Sequence, residues 1–512
     1  MADNPGERGQ PASLAIVLLL SVLVVATCGL IYELLAGTIA SYLLGDSVTQ
    51  FSTVIGTYLF AMGVGSWLSK FIDRGLTARF IQIELQVGIV GVYSAVILFI
   101  VFAHLTGPFR FVLYGLVFVT GVLVGLEIPL IMRILKDEVA FKDLVAQVLT
   151  FDYLGALAVS ILFPLALSPH LGLMRTSLLF GLMNVLVALW SIKLFKEKLR
   201  TARFLRSQGT VALLVLLLGF IFADKLTALA EEGIYADQIV YAESTPYQRI
   251  VVTRWRDDVR LFLNGNLQFS SRDEYRYHEA LVHPALATLP GARRVLILGG
   301  GDGLAAREVL KYPNIESITL VDLDARMTTM FRSNRLLTAM NLGSLNSPKM
   351  TIVNRDALIW LEQNPDAFDL ILIDFPDPSN YSLGKLYSSA FYRMIEKHLS
   401  DRGLLVIQAT SPFYARKSFW CIVNTLEDGG LKATPYHAYV PSFGEWGYII
   451  GSRGAYAPPQ KFPVATRYLT PDTMKTMFDF PADMSRVDAE VNRLNNQVLV
   501  RYFEEEWRRA IR

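Results

Sequence analysis

Between Leu14 and Ser69 the chain carries two charged residues, Glu33 and Asp46. The pattern repeats: Glu84 is the only charge from Phe80 to Phe109, Glu127 from Phe111 to Met132 and Asp152 from Leu144 to Met174, while 176–192 and 207–223 have none. Hydrocarbon offers a backbone no hydrogen-bond partners, so apolar stretches this long fold as transmembrane helices. Seven are expected, near 14–44, 48–69, 80–103, 111–132, 146–167, 174–192 and 209–223. The first is too long for a removable signal peptide and lacks a small-residue cleavage site, so it is expected to stay in the membrane. The last is short enough to lie in the interface instead of spanning. With 52% hydrophobic residues, formal net charge +2 and mean hydropathy +0.37, the chain is too apolar for an ordinary soluble protein, and the excess sits before residue 224.

Lys and Arg in the loops set the expected orientation. With seven spans, Arg8, Lys70, Arg74, Arg79, Arg133, Lys136, Lys142, Lys193, Lys196, Lys198, Arg200, Arg203 and Arg206 fall on one side, against Arg110 and Arg175 on the other. That bias puts the N-terminus in the cytoplasm of a multi-pass inner-membrane protein. An odd number of spans then puts everything after Ala223 outside it. Glu33, Glu84, Glu127 and Asp152 lie inside spans, where ionisable groups usually face a bundle interior. Two readings stand side by side: the acids line a path for a cationic molecule, or they are protonated, hydrogen-bonded helix glue beside a Gly121/Gly125 GxxxG pair. Cys28 lies in a span and Cys421 in the globular half, so no disulfide is expected within a domain.

After a polar link, QIVYAES, YQRIVVTRW and DDVRLFLNGNLQFSSRDE alternate in the manner of strands, with Asp257-Asp258 and Asn264-Gly265 as turns, predicting a small antiparallel lobe. From Asp273 the pattern becomes helical, with a kink expected at Pro284. Strands are then expected near 294–298, 317–321, 350–353, 370–373 and 403–408, separated by helices and followed by a hairpin over about 433–451. This alternation predicts a mostly parallel, doubly wound α/β sheet. The domains are thus 1–224, transmembrane and all-α; 225–290, β lobe and linking helix; 291–455, the Rossmann-like domain; and 456–512, a tail whose segment from Ser485 reads as an amphipathic helix for packing or association.

VLILGGGDG at 295–303 is a buried strand running into a glycine turn, and Asp322 ends the next apolar run at the distance of a ribose-reading acid. Gly299, Gly301 and Gly303 are spaced GxGxG, and Asp302 in that turn repels a diphosphate and attracts a cation. An adenosyl sulfonium is therefore favoured over NAD. Asp322, Asp356 and Asp374 bring further acids to the same strand-end rim. The histidines show no spacing for a metal, and no metal, cofactor or nucleic-acid partner is expected.

Taken together, Tyr247-Gln248, LNGNLQFSSRDEYRYHEALVHPAL, GGGDG, Asp322, Asp356 and IDFPDP at 373–378 resemble the polyamine aminopropyltransferases, the spermidine synthases, over nearly all of 230–452. The seven-span region ahead of them is similar to that of the membrane-bound bacterial branch. The resemblance implies a methyltransferase-type Rossmann-like sheet that moves the aminopropyl group of decarboxylated S-adenosylmethionine, a co-substrate, to putrescine or a related diamine, giving spermidine and methylthioadenosine. It implies Asp374 as base, with Gln248, Gly299, Gly301, Asp302, Asp322, Asp356 and Ala357 on the donor. Tyr277, His278, Asp302 and Asp377 would hold the amine. Family members commonly form dimers or tetramers, so a homo-oligomer is expected. The chain departs from the family pattern at Pro441–Trp446, where Phe443 replaces a tyrosine and Glu445 and Trp446 add charge and bulk, and at Arg355, where a small glycine is common. A polyamine sensor or transporter, and a methyltransferase using S-adenosylmethionine itself, are the alternatives.

Overall fold

The computed structural model describes residues 10–44, 47–104, 108–136, 141–196, 199–223, 225, 235 and 237–510. Arg8, Asp46, Lys198, Asp224 and most of the link after Asp224 lie outside the described residues. The chain forms two compact units, Met1–Ile239 and Val240–Arg512.

The first unit contains α1 (Gln10–Leu44), α2 (Ser47–Leu68), α3 (Leu76–His104) and α4 (Phe109–Leu135). It then continues with α5 (Phe141–Leu162), α6 (Ser168–Leu194) and α7 (Ala202–Ile221). Among the described residues six helical runs are long and apolar enough to cross a membrane, rather than the seven expected. The count drops because α5 passes through a π-helical turn, Phe163–Leu167, directly into α6, making one apolar run of 52 residues, Asp143–Leu194. That run is not straight. Gly172 has φ 73° and ψ 171°, outside any helix. A Cβ on Gly155 would meet Leu23 and Thr27 of α1, and the Phe180 carbonyl accepts from the Cys28 thiol of the same helix. A straight helix would hold positions 155 and 180 about 37 Å apart, whereas Leu23 and Cys28 are separated by only about 7 Å of rise. The run therefore doubles back at Gly172. The final helix has 20 residues, longer than the sequence pattern suggested, and at about 30 Å it is long enough to span.

Small residues set how closely α2 and α4 approach. A Cβ on Gly65 would lie 2.1 Å from the Val122 carbonyl oxygen, and one on Gly125 would lie 2.2 Å from that of Met62. Gly125 of the GxxxG pair and Gly65 opposite it thus carry backbone-to-backbone packing.

In the second unit β1 (Gln238–Ser244), β2 (Arg249–Trp255), β3 (Asp258–Leu263) and β4 (Asn266–Ser270) pair in sequence order. Asn264 and Gly265 have φ 51° and 80°, the left-handed pair that a tight hairpin requires. The helix α8 (Glu274–Leu286) runs on through Pro284 to Leu286. Next come β5 (Arg294–Gly299), β6 (Ser317–Asp322), β7 (Met350–Asn354), β8 (Phe368–Asp374), β9 (Leu399–Gln408), β10 (Lys432–Val440) and β11 (Gly444–Ser452). They form one sheet ordered β10-β11-β9-β8-β5-β6-β7, parallel from β9 to β7, with the terminal hairpin antiparallel. Val295 and Ile297 of β5 pack into the core on one face, Leu296 and Leu298 into that on the other, so the central strand is apolar throughout.

The tail differs from the expected single helix. From Ser485 on, only Val498–Ala510 is helical among the described residues. Before it, buried Asn492 donates to the carbonyls of Gly384 and Tyr387, and its own N–H goes to the Thr425 hydroxyl. These tertiary bonds hold the chain where an amphipathic pattern alone suggested continued helix.

Candidate active site

The order of the parallel strands reverses between β5 and β8, so the loops leaving these neighbours diverge and open a crevice at their carboxyl ends. Gly299 pairs with Asp374 in register, with φ 82°, and a Cβ there would lie 2.3 Å from the Asp374 carbonyl oxygen. Only glycine fits. Gly300 sits against the Asp374 carboxylate, and the N–H of Gly301 donates to Oδ2 of Asp322 over 3.1 Å. The glycine turn therefore joins the acids of β6 and β8. Asp302 is buried, with Oδ1 accepting from the Leu304 N–H at the start of the next helix.

Four carboxyls here are pushed up by burial. Asp302 reaches about 6, where His278 opposes burial and Asp374 adds to it. Asp322 reaches about 7, with Asp324 and Asp302 adding to burial. Asp377 also reaches about 7, against hydrogen bonds that lower it. Asp374 is raised too, by burial, while His278 and the Tyr277 hydroxyl favour its charged form. Oδ1 of Asp374 accepts from that hydroxyl over 2.6 Å. Asp377 directs Oδ2 toward the Thr410 hydroxyl, while its buried Oδ1 has no partner among the described residues. A rim of buried acids held near neutrality is a site for cations, which would restore their charge.

His278 is the cation the protein itself supplies. Burial works to lower its pKa, but Glu274 outweighs this, with Asp302 and Asp374 helping, and brings it to about 9. Its Nδ1 lies 2.9 Å from Oε2 of Glu274, which is clamped from the other side by Arg307 through two bonds of 2.8 and 2.9 Å. The resulting ladder, Arg307, Glu274, His278, leads from α8 to the acids. Glu274 and Arg307 were not singled out in the sequence; the DEYRYHE motif contained the first, and nothing marked the second.

Apart from Asp377, whose contact with Thr410 is given above, the expected site residues divide into three groups. Tyr277, His278, Gly299, Gly301, Asp302, Asp322 and Asp374 are joined by the contacts and charge interactions above. Gln248 meets the second-strand end one step removed, donating to Oδ2 of buried Asp324 over 2.9 Å, beside the Thr245 hydroxyl at 2.8 Å. Asp324, two residues past Asp322 and capping the following helix, was missed although LVDLD displayed it. Asp356 caps the helix beginning at Ala357, accepting from the Leu358 and Ile359 N–H groups, with Lys385 at 2.8 Å on the other oxygen. Burial raises its pKa, but these partners win and lower it. It is the one acid of the expected set already paired with a cation.

The expected departures fall in two places. Tyr277 packs against Phe443 at 6.3 Å and Tyr448 at 5.6 Å, and Phe443 meets Trp446 at 5.0 Å, forming an aromatic wall beside Asp374. Trp446 donates to Gln408. Glu445 pairs with His437 instead, and Arg355 is exposed and bonded to Gln363. Among the described residues no group of three or more His, Cys, Asp or Glu side chains could hold a metal ion.

Residues 274–460 match the spermine/spermidine synthase domain family. A Ralstonia nicotianae protein named polyamine aminopropyltransferase 2 is 56% identical over 505 residues, covering 97% of this chain and 99% of its own. A Leptospira interrogans protein named polyamine aminopropyltransferase is 52% identical over 494 residues, covering 96% and 99%. Among solved structures, a spermidine synthase in complex with the transition-state analogue AdoDATO is 26% identical, with TM-score 0.44, covering 48% of this chain and 86% of its own.

Proposed function

The chain belongs to the polyamine aminopropyltransferase family, and from that premise we propose that it moves the aminopropyl group of decarboxylated S-adenosylmethionine to putrescine or a related diamine. The neutral amine nitrogen attacks the aminopropyl carbon bonded to sulfur. The new C–N bond forms as the C–S bond breaks; its electrons return to sulfur, which leaves as the thioether of methylthioadenosine, and the surplus N–H proton passes to Asp374. With an amine pKa near 10.4, holding that nitrogen neutral near pH 7 costs roughly 4 to 5 kcal/mol, so a positioned base and a dry site are needed.

The observation that carries this reading is Asp377 Oδ1, a buried acceptor without a partner among the described residues, three residues from the Tyr277-bonded carboxylate of Asp374. We assign it the distal ammonium of the diamine. Asp302 takes the ammonium of the donor and His278 limits the repulsion among the acids. Asp322 takes the ribose hydroxyls with Gln248 beside it, and Asp356 with Ala357 lies along the adenine. Gly299 and Gly301 give the donor its backbone approach. Asp302 also opposes the carboxylate of ordinary S-adenosylmethionine, which favours the decarboxylated donor.

The apolar helices are proposed to anchor the enzyme in the inner membrane, N-terminus in the cytoplasm and α/β unit outside. The Lys and Arg bias and the fold-back at Gly172 support seven passes. Homo-oligomeric assembly is proposed on the family resemblance. Purified full-length protein, given decarboxylated donor and a panel of amines, should release methylthioadenosine with a diamine. No release with any amine, or better use of ordinary S-adenosylmethionine as a methyl donor, would overturn the reading.

A further inference from the structure

The helical unit buries a second set of acids, and their neighbours show where they meet. On α3, Glu84, Gly88 and Gly91 share one face at helical spacing. A Cβ on Gly88 would lie 3.1 Å from the Gly181 oxygen and 3.3 Å from Cβ of Asn184, both on α6; one on Gly91 would lie 2.5 Å from the Tyr32 ring on α1. The Cys28 thiol bonds the Phe180 carbonyl, tying α1 to α6 at the same height. Gly29 meets Val124 of α4, and its carbonyl accepts from the Tyr58 hydroxyl of α2 over 2.7 Å. Glu127 follows Val124 on the same face. Five helices thus converge on Glu84, Glu127, Asn184 and Tyr32.

These groups are unsatisfied. Glu84 and Asn184 are 0% exposed, Glu127 1% and Tyr32 4%. Both oxygens of Glu84, one of Glu127, both amide atoms of Asn184 and the Tyr32 hydroxyl have no hydrogen-bond partner among the described residues. Each such atom has given up water without regaining a hydrogen bond, which destabilises the fold unless a ligand supplies one. Helix glue would pair these atoms across helices, as Tyr58 and Cys28 do, and it does not account for four side chains left open together. A proton on one carboxyl satisfies little of the set. A hard divalent ion takes six to eight oxygens, against five left open here, and no group of three or more His, Cys, Asp or Glu that could hold a metal occurs among the described residues. An ammonium donates three N–H bonds, favours the face of a tyrosine ring, and carries a stem for apolar surroundings. A cavity of about 10 Å³, room for about one water, is lined by Tyr32, Ala36, Tyr58, Leu98, Val117 and Thr120 and adjoins the site through Tyr32.

We propose that Glu84, Glu127, Asn184 and Tyr32 form an intramembrane binding site for an alkylammonium cation, separate from the site on the α/β sheet. That the cation is a diamine or polyamine rests on the function proposed above; the presence of the site does not.

Full-length protein in nanodiscs should be treated with a hydrophobic carbodiimide, which modifies buried carboxyls, and the modified residues mapped by mass spectrometry. Putrescine or spermidine should slow labelling of Glu84 and Glu127 about tenfold, with sodium chloride of equal ionic strength giving no protection. Equilibrium binding of labelled putrescine should fall by one equivalent per chain in the isosteric Glu84→Gln/Glu127→Gln variant. Equal protection by sodium, no protection by any amine, or unchanged stoichiometry would overturn the proposal. Methylthioadenosine release from the same preparation reads the α/β site independently: turnover without protection sinks the intramembrane site alone, and protection without turnover sinks the aminopropyl transfer alone.

Discussion

Tyr277 donates its hydroxyl to Oδ1 of Asp374 over 2.6 Å while its carbonyl accepts from the Tyr448 hydroxyl over 3.2 Å, so one residue of α8 ties the end of β8 to the terminal hairpin. The bond favours the charged carboxylate of Asp374 against the burial that raises its pKa. In Tyr277→Phe that help is lost. A hydrogen bond to a charged group contributes about 1.5–3 kcal/mol, so turnover should fall roughly 10- to 150-fold. The acidic limb of the pH profile should also move up. A fall in rate with an unmoved limb would mean that the hydroxyl acts by packing alone.

Asp374→Asn should abolish methylthioadenosine release and leave donor affinity within a few-fold. The amide keeps the size of the carboxyl opposite Gly299 and can still meet the Tyr277 hydroxyl, but it cannot take a proton. Calorimetric titration with decarboxylated donor separates the outcomes. Loss of binding together with turnover would make Asp374 part of the donor pocket rather than the base.

Stability of the ligand-free protein should fall as pH rises from 5 to 8. Asp302 near 6, and Asp322 and Asp377 near 7, are all raised chiefly by burial. An unfolded Asp titrates near 3.9. In this window the native state therefore holds more protons than the unfolded state, and the stability from the protonated acids is lost as pH passes their folded values. Glu308 lies outside the window: burial opposes its low value, but His283, Lys311 and Arg307 hold it near 2, so its contribution is lost only as pH falls toward that value. His278, near 9, adds to the decline, because its contribution is full only below the unfolded value of about 6.5 and is lost from there up to its folded value. Thermal unfolding in detergent should show a shallower decline for Asp322→Asn, and more stabilisation by the cationic donor at pH 8 than at pH 5. Parallel slopes for variant and wild type would contradict this.

The apolar runs and the strand-end acids were legible because each is written within a few consecutive residues: VLIL into GGG, ITLV into Asp322, ILI into Asp374. The partners that decide how those acids behave were not. Arg307 reaches Glu274 from another helix, and Lys385 reaches Asp356 from a short helical turn beyond the next strand, so no local spacing announces either pair. Asn492 was missed for a similar reason, since its bonds to Gly384 and Tyr387 replace a helix that the tail pattern favours. The joining of α5 to α6 illustrates the reverse. The LSPHLG segment reads as a break between spans, whereas helix continues to it on both sides and the reversal is concentrated at Gly172.

That reversal makes the sidedness of the α/β unit testable. Gly172 has φ 73°, in the left-handed region where a side chain is strained, and a Cβ there would meet nothing within 4 Å, so the glycine is required by its backbone and not by crowding. With α5 and α6 as separate passes the chain crosses seven times, and the Lys and Arg bias then sets the N-terminus in the cytoplasm and residue 512 on the far side. If the run crossed only once, Lys193, Lys196, Lys198, Arg200, Arg203 and Arg206 would join Arg110, the bias would vanish, and both ends would lie on one side of the membrane. A phosphatase that folds only in an oxidising compartment, fused after Arg512, should be active, and a cytoplasm-dependent fluorescent protein fused there should be dark. Replacing Gly172 by alanine should lower thermal stability without inverting the two reporters. A dark phosphatase with a bright fluorescent protein would place the α/β unit beside the cytoplasmic metabolite pool and refute seven passes.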